Sequence, residues 1–492
     1  MLRQILLHLS AIHVGAAIGW LLGDLSILFE KKFKPKSYES IGSEDRISSL
    51  SNDLLVQILS HIPTKDAVAT MILSKRWRSV WTMLPKLAFL ETNTTDLVIG
   101  GLLGRLLDRF IGKSDKQRRF IEDSLQVHKA PILESLLIEL GPLCPVDVNV
   151  GKWIENAIDR KVCELGFKLT WSAEPTSLPK SLYTCDTLVS LGLSDKILID
   201  VPSSACLPSL KGLGLYFVVY KDEDSLVRLL SSCPILKYLI VDRHHQDNVN
   251  IFNIKIPSLE YLAYDYVKLG AQGEGIVGTL VIDSPILKKI FITDYSGDSC
   301  SFESKPRLDK ATINFFYYPN DKFMRSLSTI MELEIVLSAG TLAWFNAINF
   351  SRLIECKIII LNELDWLEPL MGLLQNSSNL KVLFIDQTFK QVENELPLSW
   401  NQPSSVPGCL SSHLEIFEWK RYGGRREEKE MVKYILANSK CLKRAGISLK
   451  STFNYLMMKD LESMSRVSTS SQLIFSTQLE YVSLTKEMMI SD

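Results

Sequence analysis

Three short stretches of the sequence combine residue types that occur in phosphate, hydrolase or metal sites. Residues 273–278 match G-x-G-x-x-G, which cradles a dinucleotide only where it follows a strand and opens a helix. Residues 279–282 instead alternate like a strand, so we expect a loop between strands here. Ser299 follows Gly-Asp without a G-x-S-x-G elbow, and His244 and His245 lack the further ligands that a metal site needs. The sequence therefore predicts no catalytic residue, no cofactor and no metal site.

The cysteines and the charge balance narrow the class of protein further. The chain has 9 cysteines, an odd number, and none forms a C-x-x-C pair, which indicates reduced thiols and a cytoplasmic or nuclear protein. Lys+Arg total 55 and Asp+Glu total 56, so a net charge of −1 provides no general attraction for nucleic acid. With 492 residues the chain exceeds one compact domain, so we expect several domains or a repeat array.

The first residues contain an apolar segment with three interpretations. Residues 4–23 carry no Asp, Glu, Lys or Arg and are long enough to contact or span a bilayer. Four lysines within residues 31–36 would then keep the following chain in the cytosol. The alternatives that stay open are a single membrane anchor, a cleaved signal peptide, and an atypical or loosely packed extension.

An amphipathic pattern after this segment predicts a small helical bundle. The apolar residues at i, i+1, i+4, i+5 and i+8 of its first helix form one stripe: Leu54, Leu55, Ile58, Leu59 and Ile62. This stripe is larger than a bundle of about 45 residues can bury, so we expect a partner to cover part of it.

Capping residues divide this region into three predicted helices. Ser51 or Asn52 can cap the first helix, and Pro63 ends it. Thr64 can cap the second helix, and Ser74 the third, which carries two tryptophans one turn apart.

Residues 47–90 resemble an F-box, and the run Leu-Ser-Lys-Arg-Trp-Arg at 73–78 followed by Trp81 is typical of its plant subfamily. The resemblance implies docking on a Skp-family adaptor of an SCF (cullin–RING) ubiquitin ligase. The implied adaptor contacts are Leu50, Leu54, Leu55, Ile58, Leu59, Val68, Leu73 and Trp77. The family usually has proline after its first leucine, whereas this chain has Ser51. Since serine is itself a good cap, we expect the exchange to weaken docking by less than about 2 kcal/mol.

The middle of the chain repeats the pattern L-x-x-L-x-L with substitutions. Thirteen instances begin about every 20–35 residues, the first at Leu133/Leu136/Ile138 and the last at Leu442/Ala445/Ile447. Its last four positions alternate as a short strand does, and helix-like stretches lie between several instances. One strand and one helix at this period are typical of a leucine-rich-repeat solenoid, whereas a doubly wound α/β domain would not restart the same triad. We therefore expect an α/β fold of parallel strands plus helices.

The end of the repeat region resembles the FBD domain that often closes plant F-box proteins with leucine-rich repeats. The similarity covers residues 403–475 and centres on Leu-Glu-Ile-Phe-Glu-Trp at 414–419. Residues 427–437 predict an amphipathic helix with Met431, Ile435 and Leu436 inside and the charged residues 427–430 outside. A strand from 445 to 449 follows, and this part would cap the open end of the solenoid.

The predicted organisation is a small three-helix F-box followed by an irregular solenoid and an FBD domain. The predicted boundaries are 1–43 for an atypical N-terminal extension and linker, 44–90 for the F-box, 91–402 for the leucine-rich repeats, 403–475 for the FBD domain and 476–492 for a C-terminal tail. The resemblance implies a non-catalytic substrate-recognition subunit whose repeats bind a target protein. The alternative is a leucine-rich-repeat interaction scaffold, tethered to a membrane or free, that does not direct ubiquitination.

Overall fold

The computed structural model of the protein describes residues 49–90, 115–141, 149–170, 174–244, 247–267, 278–296, 299–315, 320–360, 364–387, 397–449 and 455–475. They belong to two compact units, Met1–Val249 (unit 1) and Asn250–Asp492 (unit 2). The predictions for residues 4–23 and 476–492, and for most of 273–278, fall outside the described residues. None of the helices in the described ranges is long and apolar enough to cross a membrane.

Unit 1 begins with the predicted bundle of three short helices. They are α1 (Asn52–Leu59), α2 (Thr64–Ala69) and α3 (Trp77–Val80), with 3-10 turns at Thr70–Ile72 and Trp81–Met83. Later helices in this unit are α4 (Asp115–Val127), α5 (Val150–Asp159) and α6 (Glu223–Ser231), and a 3-10 segment spans Lys180–Thr184.

The strands of unit 1 form two parallel sheets. The larger sheet has the order β1 (Lys86–Phe89), β2 (Ser135–Leu140), β3 (Glu164–Leu169), β5 (Ser190–Asp195), β7 (Gly212–Tyr216) and β9 (Tyr238–Arg243). The smaller one contains β4 (Thr176–Ser177), β6 (Ile197–Ile199) and β8 (Val219–Tyr220). Each successive strand of a sheet therefore comes from the next repeat along the chain.

Unit 2 has the same arrangement with more strands. Its larger parallel sheet has the order β11 (Tyr261–Tyr266), β13 (Lys289–Asp294), β15 (Lys310–Phe315), β16 (Glu332–Leu337), β17 (Glu355–Ile360), β18 (Val382–Asp386), β19 (Ile416–Tyr422), β20 (Arg444–Leu449) and β21 (Gln472–Phe475). The smaller sheet contains β10 (Ile251–Lys255), β12 (Thr279–Asp283) and β14 (Ser299–Phe302).

The helices of unit 2 lie between its strands in the sequence. They are α7 (Asp321–Ser326), α8 (Ala339–Leu342), α9 (Leu367–Gln375), α10 (Gly408–Ser412), α11 (Arg426–Asn438) and α12 (Tyr455–Glu462), with a 3-10 turn at Leu327–Thr329.

The strand register follows the sequence triads. The middle residues of the triads are direct neighbours across the strands of each sheet: Leu136, Leu165, Leu191, Leu213 and Leu239 in unit 1, and Leu262, Ile290, Ala311, Leu333, Cys356, Leu383, Phe417 and Ala445 in unit 2. All of them are buried, because period-2 alternation turns every second side chain to one face. The predicted fold of parallel leucine-rich repeats is confirmed.

The predicted terminal helix and strand are also present. Met431, Ile435 and Leu436 of α11 are fully buried, and β20 occupies the predicted strand. The prediction that Glu428 points outward was wrong. Its carboxylate is buried, where it accepts hydrogen bonds from the Arg425 backbone N–H (3.2 Å) and the Gln387 side-chain amide (3.2 Å), and so caps the start of α11.

A buried ion pair joins Arg243, the last residue of β9, to Asp247. The Arg243 and Asp247 side chains are each 1% exposed, and the guanidinium Nε donates to the Asp247 carboxylate over 2.6 Å. The same guanidinium donates to the Val249 carbonyl, and the Val249 N–H donates to the Asp247 carboxylate (3.1 Å). Both charged groups are therefore paired and hydrogen-bonded, as burial requires.

Candidate adaptor-binding site

The start of α1 is fixed by Ser51. The Leu54 backbone N–H donates to the Ser51 hydroxyl over 3.3 Å, and Asp53 in the first turn complements the positive end of the helix dipole. Of the two predicted caps, Ser51 is therefore the N-cap, and Asn52 is the first residue of the helix.

The apolar stripe of α1 divides into a buried and an exposed edge. Leu55 and Leu59 are only 1% and 2% exposed, because they pack into the bundle. Leu54 and Ile58 are 46% and 49% exposed, and Ile62 extends this edge. Nearly half of the surface of two large aliphatic side chains thus faces solvent, which is costly unless another surface covers it.

The segment between α2 and α3 adds a second group of exposed apolar side chains. Leu73 is 63% exposed and its neighbour Ile72 is also exposed, whereas Val68 is buried and Leu50 and Trp77 are half-buried. The adaptor contacts implied by the sequence did not include Ile72. In the sequence, the feature that pointed to Ile72 was its position directly before Leu73, which is one of the implied contacts.

Two predicted caps were wrong. Thr64 is the first residue of α2 rather than its cap, and its buried hydroxyl accepts a hydrogen bond from the Ala88 backbone N–H (2.8 Å). Ser74 does not cap α3, which begins at Trp77 after Arg76 without a side-chain cap. The Thr64 hydroxyl instead ties α2 to strand β1, a long-range contact that local sequence does not reveal.

The helical bundle continues directly into the repeats of unit 1. Strand β1 pairs in parallel with β2, from Lys86 opposite Ser135 to Phe89 opposite Ile138. The Thr82 carbonyl accepts hydrogen bonds from the backbone N–H groups of residues 129 and 130, over 2.7 and 3.0 Å. A strand pair and these bonds therefore fix the bundle against the first repeat.

His128 completes this junction beside the indole of Trp81. The two rings have centroids 6.4 Å apart. The Arg160 guanidinium donates to Nδ1 of His128 and to the Ala130 carbonyl (2.6 Å), while Nε2 lies 2.8 Å from the Leu84 carbonyl. Because a guanidinium only donates, Nδ1 must be the acceptor and Nε2–H the donor, which requires a neutral imidazole.

The junction is expected to weaken in acid. Burial and, to a lesser extent, the Arg160 charge lower the pKa of His128 to about 4 from 6.5. The unfolded chain takes up this proton near pH 6.5, so stability is fully present above that pH and is lost as the pH falls towards 4. We expect unit 1 to lose about 2 kcal/mol of unfolding free energy over this window. The difference in urea midpoint between wild type and His128→Gln, measured from pH 7 to 4, checks this. A difference in urea midpoint that stays constant from pH 7 to pH 4 would contradict the prediction.

Three glycines align across neighbouring strands of the larger unit 1 sheet. Gly166, Gly192 and Gly214 are direct neighbours on β3, β5 and β7. A Cβ atom at Gly166 would lie 2.7 Å from Leu137, and one at Gly214 would lie 2.7 Å from the Tyr216 ring. A Cβ at Gly192 would meet nothing within 4 Å. Neighbouring side chains therefore lie close over Gly166 and Gly214, which is itself buried, and among these three glycines Gly192 alone has open space beside it.

The side of the unit 2 strands opposite the triad residues carries cross-strand ion pairs. Lys310 on β15 pairs with Glu332 on β16 (2.9 Å), and Lys357 on β17 pairs with Glu334 on β16 (2.8 Å). Glu415, just before β19, pairs with Lys443, just before β20. Cross-strand pairs of this kind neutralise much of the charge within the sheet.

The residues with potential for chemistry belong to different units, Ser299 to unit 2 and His244 to unit 1. Ser299 is in β14, where its hydroxyl donates to the Thr279 hydroxyl over 3.1 Å, and Thr279 begins the strand predicted after the glycine-rich stretch. His244 directly follows β9. In the described part of the chain, no group of three or more His, Cys, Asp or Glu side chains could hold a metal, and the eight cysteines there are free thiols.

Models of three known domains match the sequence. They are the F-box domain over residues 47–89, the LRR repeats of FBD-associated F-box protein At5g56370 over 150–312, and the FBD domain over 402–447. The first match covers the helical bundle and β1, and the second covers the strands from β3 to β14.

Full-length relatives in Arabidopsis thaliana are similar along most of the chain. A putative F-box/FBD/LRR-repeat protein, At1g22000, is 50% identical over 88% of this chain and 92% of its own length. A putative FBD-associated F-box protein, At1g05080, is 47% identical over 89% of this chain and 98% of its own length. The chain therefore belongs to the plant family of F-box/FBD/LRR-repeat proteins.

Proposed function

We propose that this chain is the substrate-recognition subunit of an SCF (cullin–RING) ubiquitin ligase. Its F-box would dock a Skp-family adaptor, and its repeats would bind a target protein in the cytoplasm or nucleus. The chain would supply no catalytic group. Instead it would raise the local concentration of the target's lysines near a ubiquitin-loaded enzyme, which is catalysis by proximity.

One observation carries the proposal: a folded F-box exposes large aliphatic side chains on two neighbouring segments. We propose that Leu54, Ile58 and Leu73, with half-buried Leu50 and Trp77, make the direct adaptor contacts. Side chains that are already buried offer a partner almost no surface, so their part would be support. In the proposed site this support comes from Leu55, Leu59 and Val68.

We place the target on the solvent-facing sides of the two larger sheets. The open space beside Gly192 in unit 1 and the charged pairs of unit 2 offer chemically different surfaces within one chain. For the chain as a whole we propose the boundaries 44–90 for the F-box, 91–402 for the repeats and 403–475 for the FBD domain.

Co-purification tests the proposal. The full chain and a version starting at residue 42 would each be expressed with a plant Skp-family adaptor and a cullin, then captured by a tag on the chain. We expect adaptor and cullin in stoichiometric amounts with both versions. Adaptor bound to neither would overturn the proposed function and favour an interaction scaffold. Adaptor bound only to the shorter version would assign residues 1–41 a role in controlling access.

A further inference from the structure

A single guanidinium spans the start of α1. Arg76 Nε donates to the Asn52 side-chain carbonyl over 2.8 Å, and a terminal nitrogen of the same group donates to the Leu50 backbone carbonyl. These two acceptors lie on either side of Ser51, the N-cap of α1. We call this set of two hydrogen bonds the Arg76 clasp.

The clasp holds a serine in the backbone conformation of a proline. Ser51 has φ −65° and ψ 159°, and a proline ring would fix the same φ of about −65°. Serine must give up other conformations to adopt this one, whereas proline has already lost them. With Ser51 at this position, the order of the helix start rests on the Ser51 hydroxyl cap together with contacts from elsewhere in the bundle, and the Arg76 clasp is such a contact.

The clasp also joins the two parts of the apolar surface. Arg76 lies three residues after Leu73 and directly before Trp77, while its acceptors lie just before Leu54. Fixing Leu50 and Asn52 to this segment sets the position of the exposed edge of α1 relative to Leu73. The geometry needs a planar group with donors on two sides, which arginine has and lysine lacks.

We propose that Arg76 is a positioning residue of the adaptor site, acting through the start of α1 rather than by touching the adaptor. This inference rests on the proposed function. It predicts that the need for Arg76 disappears when residue 51 is proline, because proline then supplies the order that the clasp otherwise provides.

The test is a set of four full-length variants measured against a purified Skp-family adaptor by calorimetry: R76Q, R76K, S51P and the double variant S51P/R76Q. We expect R76Q to weaken binding about five- to tenfold, and R76K to weaken it nearly as much, since charge-assisted hydrogen bonds are lost. We expect S51P/R76Q to bind within about twofold of S51P alone. Equal losses from R76Q in the wild-type and S51P backgrounds, or no loss in either, would overturn the inference.

Hydrogen exchange without the adaptor separates positioning from general stability. In R76Q, faster exchange confined to residues 50–56 supports the inference. Faster exchange throughout 52–83 would overturn it, because Arg76 would then stabilise the whole bundle. These outcomes are distinct from failure of the proposed function, which a wild-type chain unable to bind any adaptor would reveal.

Discussion

Replacing Leu54 and Ile58 together with aspartate is expected to abolish adaptor binding and leave the fold intact. Both side chains are about half exposed, so charges at these positions meet solvent in the free chain. Because about half of each side chain is left to cover, an adaptor would gain roughly 0.7–1.5 kcal/mol from each. The substitution also places two carboxylates in the covered surface, so binding should weaken at least about 100-fold. Calorimetry with the purified adaptor measures the change, and the melting temperature should stay within a few degrees.

The matched control for this pair is Gln57→Asp. Gln57 is exposed on the same helix, so it places a charge on α1 without removing apolar surface. We expect it to change the affinity less than about threefold, as exposed polar substitutions usually do. Leu55→Asp is unsuitable, because it would put a charge into the interior of the bundle. Undiminished binding by the Leu54/Ile58 variant would contradict the placement of the site on this edge.

Replacing Asp247 with alanine is expected to destabilise unit 1 by about 3–5 kcal/mol, the usual cost of leaving a buried charge without its partner. The Arg243 guanidinium would stay in a site where its side chain is 1% exposed, and it would lose the carboxylate that neutralises it there. Urea denaturation followed by hydrogen exchange of peptides from unit 1 measures the change in unfolding free energy.

An exposed ion pair in the same unit provides the comparison. Lys221 and Asp200 lie 3.0 Å apart with side chains 54% and 38% exposed. Removing an exposed pair costs at most about 1 kcal/mol, so Lys221→Ala should have a small effect. Similar losses from Lys221→Ala and Asp247→Ala would show that burial of the Arg243–Asp247 pair carries no special weight.

The fold could be predicted because the repeat is specified by positions rather than by residue identity. Ala311 and Cys356 occupy triad positions where most repeats have leucine or isoleucine, yet they align in register with their neighbours and are fully buried. An alternating pattern that recurs in each repeat is sufficient to set which face of the strand is buried, even though the length between repeats varies.

The details of the site needed long-range contacts that the sequence does not display. The five-residue stripe of α1 marks an apolar face, but its buried edge is decided by what the rest of the bundle covers. Thr64 and Ser74 have the chemistry of caps, yet the Thr64 hydroxyl bonds to Ala88, which lies far along the chain on β1. Glu428 was predicted to face solvent because charged residues usually do, but Gln387, directly after β18, gives it a buried partner.

The pairing of β1 with β2 gives the strands of unit 1 a fixed spacing from the F-box. Neighbouring strands are spaced about 4.8 Å apart, so each repeat adds one strand spacing. In the proposed complex, a target held on a given strand would lie a set number of these spacings from the adaptor. Gaining or losing a repeat between the two would move the target's lysines by one step without altering any contact to either partner. Under the proposed function, repeat number as well as affinity would then decide which lysine meets the ubiquitin-loaded enzyme.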